Sequence, residues 1–234
     1  MAAIRLVAFD LDGTLVDSVP DLAVAIDLAC RDLALRLPGA AAVRQWVGDG
    51  VRRLVKRALT GERDGEPDAI LYRRGMELFR RYYRAHLSDH THLYPGVRAV
   101  LDELHASGLR LACVTNKSGE FTAPLLEALD LQRYFGAVVS GDTLAQRKPD
   151  PAPLLYAAHT LGVAPVAACM IGDSANDMRA AHAAGFLPLA VSYGYGNAAE
   201  VAATGPETLF GSLAELPAWL AARNRTLAGW AASR

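Results

Sequence analysis

Four apolar runs in this chain each stop at a polar cluster: IRLVAFD (residues 4–10), LRLACVTN (109–116), VAACMIGD (166–173) and LPLAVSYG (187–194), with FGAVVSGD (135–142) a weaker fifth. Strands this continuously apolar leave no face for water, and most are followed by a helix-like stretch. The pattern calls for a parallel sheet covered on both sides. The predicted fold class is α/β, a doubly wound parallel sheet. Ligands of such sheets bind outside the carboxyl ends of the strands, so the polar residues ending each run should meet in one crevice.

The intervals between runs are uneven. From Ser18 to about His92 only helical patterns are found, at Asp21 to Leu37, Val51 to Leu59 and Asp68 to Leu87. A crossover needs only about a dozen residues, and this stretch holds about 70. It reads as an inserted α-helical domain over 18–92, with a core made of 1–17 and 93–234. The insertion is entered after Asp17-Ser18 and left near Leu93-Tyr94-Pro95-Gly96, and both joints read as hinges. Asp17 and Ser18 stand where they can cap the first inserted helix before Pro20. The tail from Arg223 to Arg234, with Trp230, reads as a terminal helix.

Composition narrows the function classes. Hydrophobic residues make up 52% and charged residues 21%, with a net charge of -1, which favours neither disorder nor nucleic-acid binding. RRYYR (80–84) mimics a nucleic-acid patch, but Tyr82 and Tyr83 fit the apolar face of a helix. Cys30, Cys113 and Cys169 lie far apart without a CxxC pair and read as reduced thiols. No run approaches the ~20 apolar residues of a membrane span, and no basic start leads into a long apolar stretch. The expectation is a cytoplasmic enzyme, monomer or homodimer, acting on a small molecule.

The run-ending residues carry the chemistry. They are Asp10 and Asp12, Thr115 and Asn116, Lys148, and Asp173 with Asp177. Acids converging at adjacent strand ends repel unless a cation sits among them, and carboxylate, carbonyl and water ligands suit Mg²⁺. With the anionic repulsion offset, Asp10 can attack phosphorus, and Asp12 can give and take the proton. Thr115, ahead of a helix start, can hold phosphate. Lys148 can neutralise both phosphate and carboxylate charge. Asp173 is expected on the metal, and Asp177, four residues on, beside it, orienting a water or Lys148.

DLDGT (10–14), VTN (114–116), RKPDP (147–151) and GDSAND (172–177) resemble, in order, the four motifs of the haloacid dehalogenase superfamily, and the insertion falls where that superfamily carries a helical cap. The resemblance implies a Rossmann-like core, Asp10 as nucleophile, Asp12 as general acid/base, and Mg²⁺ held by Asp10, the Asp12 carbonyl and Asp173. Within the superfamily, WVGDGVRRLVKRAL (46–59), VTNKSGEFTAPLLEALDL (114–131) and YFGAVVSGDTLAQRKPDPAPLLYAA (134–158) are most similar to bacterial phosphoglycolate phosphatases. That implies hydrolysis of 2-phosphoglycolate to glycolate. Gly48 and Gly50 would let backbone amides approach a small anion, with Arg52 nearby. The alternatives are a β-phosphoglucomutase-like mutase and a phosphatase for a sugar phosphate or pyrophosphate. A dehalogenase is disfavoured because that branch lacks the second Asp of DxD. A signalling receiver is disfavoured because it has no place for the insertion.

Overall fold

The computed structural model describes residues 2–232, with side chains described as far as 226, so Trp230 lies outside the described side chains. Its strands are β1 (Leu6–Phe9), β2 (Val16–Asp17), β3 (His92–Leu93), β4 (Arg110–Val114), β5 (Ala137–Val139), β6 (Ala168–Gly172), β7 (Leu187–Val191) and β8 (Thr208–Phe210). Its α-helices are α1 (Val19–Asp32), α2 (Gly39–Trp46), α3 (Val51–Thr60), α4 (Ala69–Ala85), α5 (Val97–Ala106), α6 (Gly119–Ala128), α7 (Ala152–Thr160), α8 (Ala175–Ala184), α9 (Ala198–Ala203) and α10 (Leu216–Ala232). None is long and apolar enough to cross a membrane.

Among the described residues, six strands form one parallel sheet in the order β5-β4-β1-β6-β7-β8. The two-sided burial read from the apolar runs is visible residue by residue. Val7 and Phe9 of β1 pack with Leu101 and Leu104 of α5, Leu125 of α6, and Leu216 and Leu220 of α10. Leu6 and Ala8 point the other way, toward Leu154 and Ala157 of α7 and Ala180, Ala181 and Ala184 of α8. Each large side chain buried this way contributes roughly 1.5–3 kcal/mol. The chain builds β4 and β5 on one side of β1, then returns to build β6, β7 and β8 on the other. The strand order therefore reverses beside β1, which sets a crevice at its carboxyl end.

Helices α1 to α4 have an apolar cluster of their own, including Leu22, Ile26, Val43, Leu54, Met76, Phe79 and Tyr83, which Phe121 of α6 joins from the sheet side. Asp68 starts α4 by accepting from the amides of Ile70 and Leu71 at 3.0 Å, an N-cap. The first inserted helix is shorter than the predicted Asp21 to Leu37. It stops at Asp32, and Ala34 takes a left-handed turn at φ 56°. Helix α2 is unpredicted, because its eight residues are too short a window for helical periodicity to register. Strand β8 is missed as well, a three-residue edge strand whose Leu209 faces solvent.

The joints of the insertion are paired with each other. Val16 lies opposite Leu93 and Asp17 opposite His92, so β2 and β3 make an antiparallel ribbon. Just beyond it, buried Asp21 accepts from the amides of His90 (3.0 Å) and Thr91 (2.7 Å) and from the Thr91 hydroxyl (2.7 Å). Removing that carboxylate strands buried donors, so Asp21→Ala should cost about 1–3 kcal/mol in urea unfolding. An unchanged midpoint would contradict this clamp.

Candidate active site

Strand β1 delivers Asp10 to the crevice. The Asp10 amide donates to Ile171 of β6 (2.9 Å), after which the chain folds into a tight loop closed by Gly13 N to Val16 O (2.9 Å) and Val16 N to Leu11 O (3.0 Å). Gly13 sits at φ +86°, and a Cβ there would lie 2.4 Å from Asp173 Oδ2. Only glycine meets both demands, which explains the DLDG turn.

Asp10, Asp173 and Asp177 bring carboxylate oxygens within 4.8 Å of one another, all three buried, the one such acidic or metal-ligating group among the described residues. Lys148, 2% exposed, lies under them. Its Nζ is 2.9 Å from Asp10 Oδ1 and 2.6 Å from Asp177 Oδ1, and it donates to the Val114 carbonyl at 2.6 Å. Asp177 also accepts from the Ser174 amide (3.0 Å) and hydroxyl (2.6 Å) in the capping box that opens α8. Asp173 accepts from the Thr14 hydroxyl (3.1 Å) and the amides of Tyr195 (2.7 Å) and Gly196 (3.1 Å).

The electrostatics follow from burial. Burial pushes Asp10 up to about 8; Lys148 opposes this, while Asp177 and Asp173 reinforce it. Burial and then the Asp177 charge push Asp173 up to about 6, against its three hydrogen bonds. Burial works against the Lys148 ammonium, but Asp10 and Asp177 outweigh it and push its pKa up. With all three acids ionised, one ammonium leaves two negative charges unmatched, a donor set that fits a divalent cation.

Asp12 occupies a different environment. Its Oδ1 accepts from the Ser18 hydroxyl at 2.5 Å, and Lys117 Nζ lies 3.1 and 3.3 Å from its two oxygens. Ser18 therefore directs its hydroxyl to Asp12 rather than capping α1; Asp17 accepts from the Val19 amide there (3.2 Å). Lys117, 7% exposed, also donates to the hydroxyl of Tyr83 on α4 (2.7 Å).

A cavity lies between the strand ends and the inserted helices. Asp10, Asp12, Thr115, Asn116, Lys117 and Ser118 line it from the sheet side, and Gly48, Gly50, Leu54, Phe79 and Tyr83 from the inserted side. Asn116 Nδ2 donates across it to the Gly48 carbonyl (3.2 Å) and to the Lys148 carbonyl (3.0 Å). Gly50, at φ 83°, passes close to Arg147 and the Asn116 carbonyl.

The structure thus brings together Asp10, Asp12, Thr115, Asn116, Lys148, Asp173 and Asp177, with Gly48 and Gly50 opposite. Arg52 does not join them. It is exposed, in a separate groove with Asp49, Arg53, Lys56 and Arg147, because the first turn of α3 carries its side chain away from the cavity. The sequence reading gives no role to Lys117, Thr14 or Tyr195, and it assigns Ser18 to a helix cap and Tyr83 to an apolar helix face. Lys117 directly follows Thr115-Asn116, a signal that was available. Tyr195 had none, since its hydroxyl crosses to the insertion joint, accepting from the Ser18 amide (2.8 Å) and donating to Asp17 (2.8 Å).

Comparison with known proteins agrees with this geometry. A family model described as haloacid dehalogenase-like hydrolase matches residues 4–185. The chain is 47% identical over 212 residues to a phosphoglycolate phosphatase of Nitrosococcus oceani, covering 91% of this chain and 94% of that protein. A solved structure from Haemophilus somnus 129PT, described as a predicted phosphoglycolate phosphatase, superposes with a TM-score of 0.86 at 35% identity, covering 92% of this chain and 97% of that one. CbbY from Rhodobacter sphaeroides, solved in complex with xylulose-(1,5)bisphosphate, gives a TM-score of 0.77 at 26% identity, covering 91% of this chain and 96% of that one. A family match over most of the chain, on a sheet that gathers the same four motifs into one crevice, shows that this chain belongs to the haloacid dehalogenase-like hydrolases.

Proposed function

We propose that this phosphatase hydrolyses 2-phosphoglycolate to glycolate and phosphate, with Asp10 as nucleophile and Asp12 as general acid/base. One observation carries the reading. Two carboxylates two residues apart are held in separate environments, Asp10 among buried acids beside Lys148 and Asp12 paired with Lys117 and Ser18. Such separation is what a division between attack and proton transfer requires. The relatives named phosphoglycolate phosphatase support the substrate.

The donor set fits a divalent cation, and we assign Mg²⁺ to the Asp10 and Asp173 carboxylates and the Asp12 main-chain carbonyl. Bound there, the ion would supply charge neutralisation for an anion approaching an anion. The chain's own residues do the rest. An Asp10 oxygen bonds to phosphorus as the ester oxygen leaves, and Asp12 gives that oxygen its proton. Asp12 then takes a proton from a water, whose oxygen attacks phosphorus and frees Asp10. Thr115 and Asn116 line the cavity where they can hold the phosphoryl oxygens, Lys148 beneath Asp10 lends the site its positive charge, and Asp177 fixes Lys148. The helices at 18–92 act as a cap whose closure excludes water.

Stoichiometric phosphate release from 2-phosphoglycolate, in preference to sugar phosphates and pyrophosphate, is the expected result; interconversion of sugar phosphates without release would overturn the reading. Asp10→Asn should abolish release with the fold retained by circular dichroism, and Asp12→Ala should lower kcat about 10²–10⁴-fold. Normal turnover in either variant would refute its role. The pH dependence has a definite sign. Raised carboxyl pKa values mean that, without metal, these two groups cost stability as pH rises toward about 6 for Asp173 and about 8 for Asp10. A cation binding the ionised forms relieves that cost. The gain in Tm on adding MgCl₂ should therefore be larger at pH 8 than at pH 6, and the opposite trend would contradict the metal assignment.

A further inference from the structure

The cavity lining includes polar groups to which the proposed mechanism gives no role. Among the residues lining it, Lys117 is the only cation. Lys148 is committed beneath the acids, to Asp10, Asp177 and the Val114 carbonyl. Beside Lys117, the Ser118 hydroxyl oxygen is buried without a hydrogen-bond partner. The Tyr83 hydroxyl accepts from Lys117, which leaves its own proton to donate. Lys117 with its Tyr83 hydroxyl, and the neighbouring Ser118, thus line a cavity whose other walls include Leu22, Val51, Leu54, Phe79 and Phe121. Buried polar groups are ordinarily paired, and a partnerless hydroxyl beside a buried ammonium in a binding cavity is complementary to an anion.

We propose that Lys117, Ser118 and Tyr83 form the subsite that receives the substrate's carboxylate and so determine specificity for a small phosphate ester with a second anionic group. This deepens the 2-phosphoglycolate reading and rests on it. The subsite also acts on Asp12. Without substrate, Lys117 holds both Asp12 oxygens, at 3.1 and 3.3 Å. A carboxylate on Lys117 competes for that ammonium and frees Asp12 to turn toward the leaving oxygen. The correct substrate therefore releases the acid/base that acts on it. Because Tyr83 comes from α4 and Lys117 and Ser118 from the loop after β4, the subsite is complete only with the inserted helices against the sheet.

The test compares kcat/KM for 2-phosphoglycolate with that for ethyl phosphate, which has the same two-carbon length and no carboxylate. The wild-type enzyme should prefer 2-phosphoglycolate, with part of the preference in kcat. Lys117→Met should reduce the preference ratio about ten- to a hundredfold, the loss typical of a charge-assisted hydrogen bond. That variant also removes the ammonium that holds Asp12 and so changes the rate with both esters, which is why the ratio, not the rate, is read. Ser118→Ala and Tyr83→Phe each remove one hydroxyl without removing charge and should reduce the same ratio about three- to tenfold. A wild-type enzyme without preference for 2-phosphoglycolate would overturn the substrate reading and the subsite together. A wild-type preference that all three variants keep would overturn the subsite alone.

Discussion

The ammonium of Lys148, buried under the ends of β1, β4 and β6, makes the rest of the site physically tenable. Three carboxylates out of water repel one another and lose hydration, and neither cost is recovered by packing. Lys148 offsets part of it by contacting Asp10 and Asp177 at 2.9 and 2.6 Å, and it is itself held by the Val114 carbonyl. The reversal of strand order beside β1 is what lets one side chain reach both acids. One ammonium does not balance three acids, so the same geometry that stabilises the cluster leaves a donor set that fits a divalent cation.

A second lysine ties this cluster to the inserted helices. Lys117 follows the strand end yet contacts Asp12 from the first loop and Tyr83 from α4, with the Tyr83 ring against Phe121 of α6 at 4.8 Å between centroids. On the opposite side Tyr195 does a comparable job. Its amide holds Asp173, its hydroxyl holds Asp17 and the Ser18 amide, and its ring lies under the Arg44 guanidinium at 4.9 Å. Arg44 in turn pairs with Asp17 at 2.7 Å. Movement of the helices about the β2–β3 ribbon would therefore be felt at both Asp12 and Asp173.

The legibility of this chain in sequence divides along physical lines. Strands buried on both faces write themselves as continuous apolar runs, so β1, β4, β6 and β7 and the polar residues that end them, Asp10 and Asp173 among them, could be read directly. Helix α2 and strand β8 could not, because eight residues are too few to establish a helical period and three define no alternation. Lys117 looked like an ordinary polar residue after a strand, and its importance comes from Tyr83, 34 positions away in sequence. Ser18 suited a helix cap as well as it suits Asp12, and only the tight Gly13 loop decides between them. Arg52 was chosen for its charge near two glycines, whereas its direction depends on the rotation of α3.

The proposed mechanism turns on Asp10, beside Lys148 among the buried acids, acting as the nucleophile. The most direct measurement is rapid acid quench of the enzyme during turnover of 2-phosphoglycolate with Mg²⁺, followed by mass spectrometry of the peptide carrying FDLDGTLVDS. The account predicts a transient phosphoryl group on Asp10, absent when Asp10 is Asn. Sustained phosphate release with no phosphorylated Asp10 at any quench time, or with the label on another residue, would contradict it.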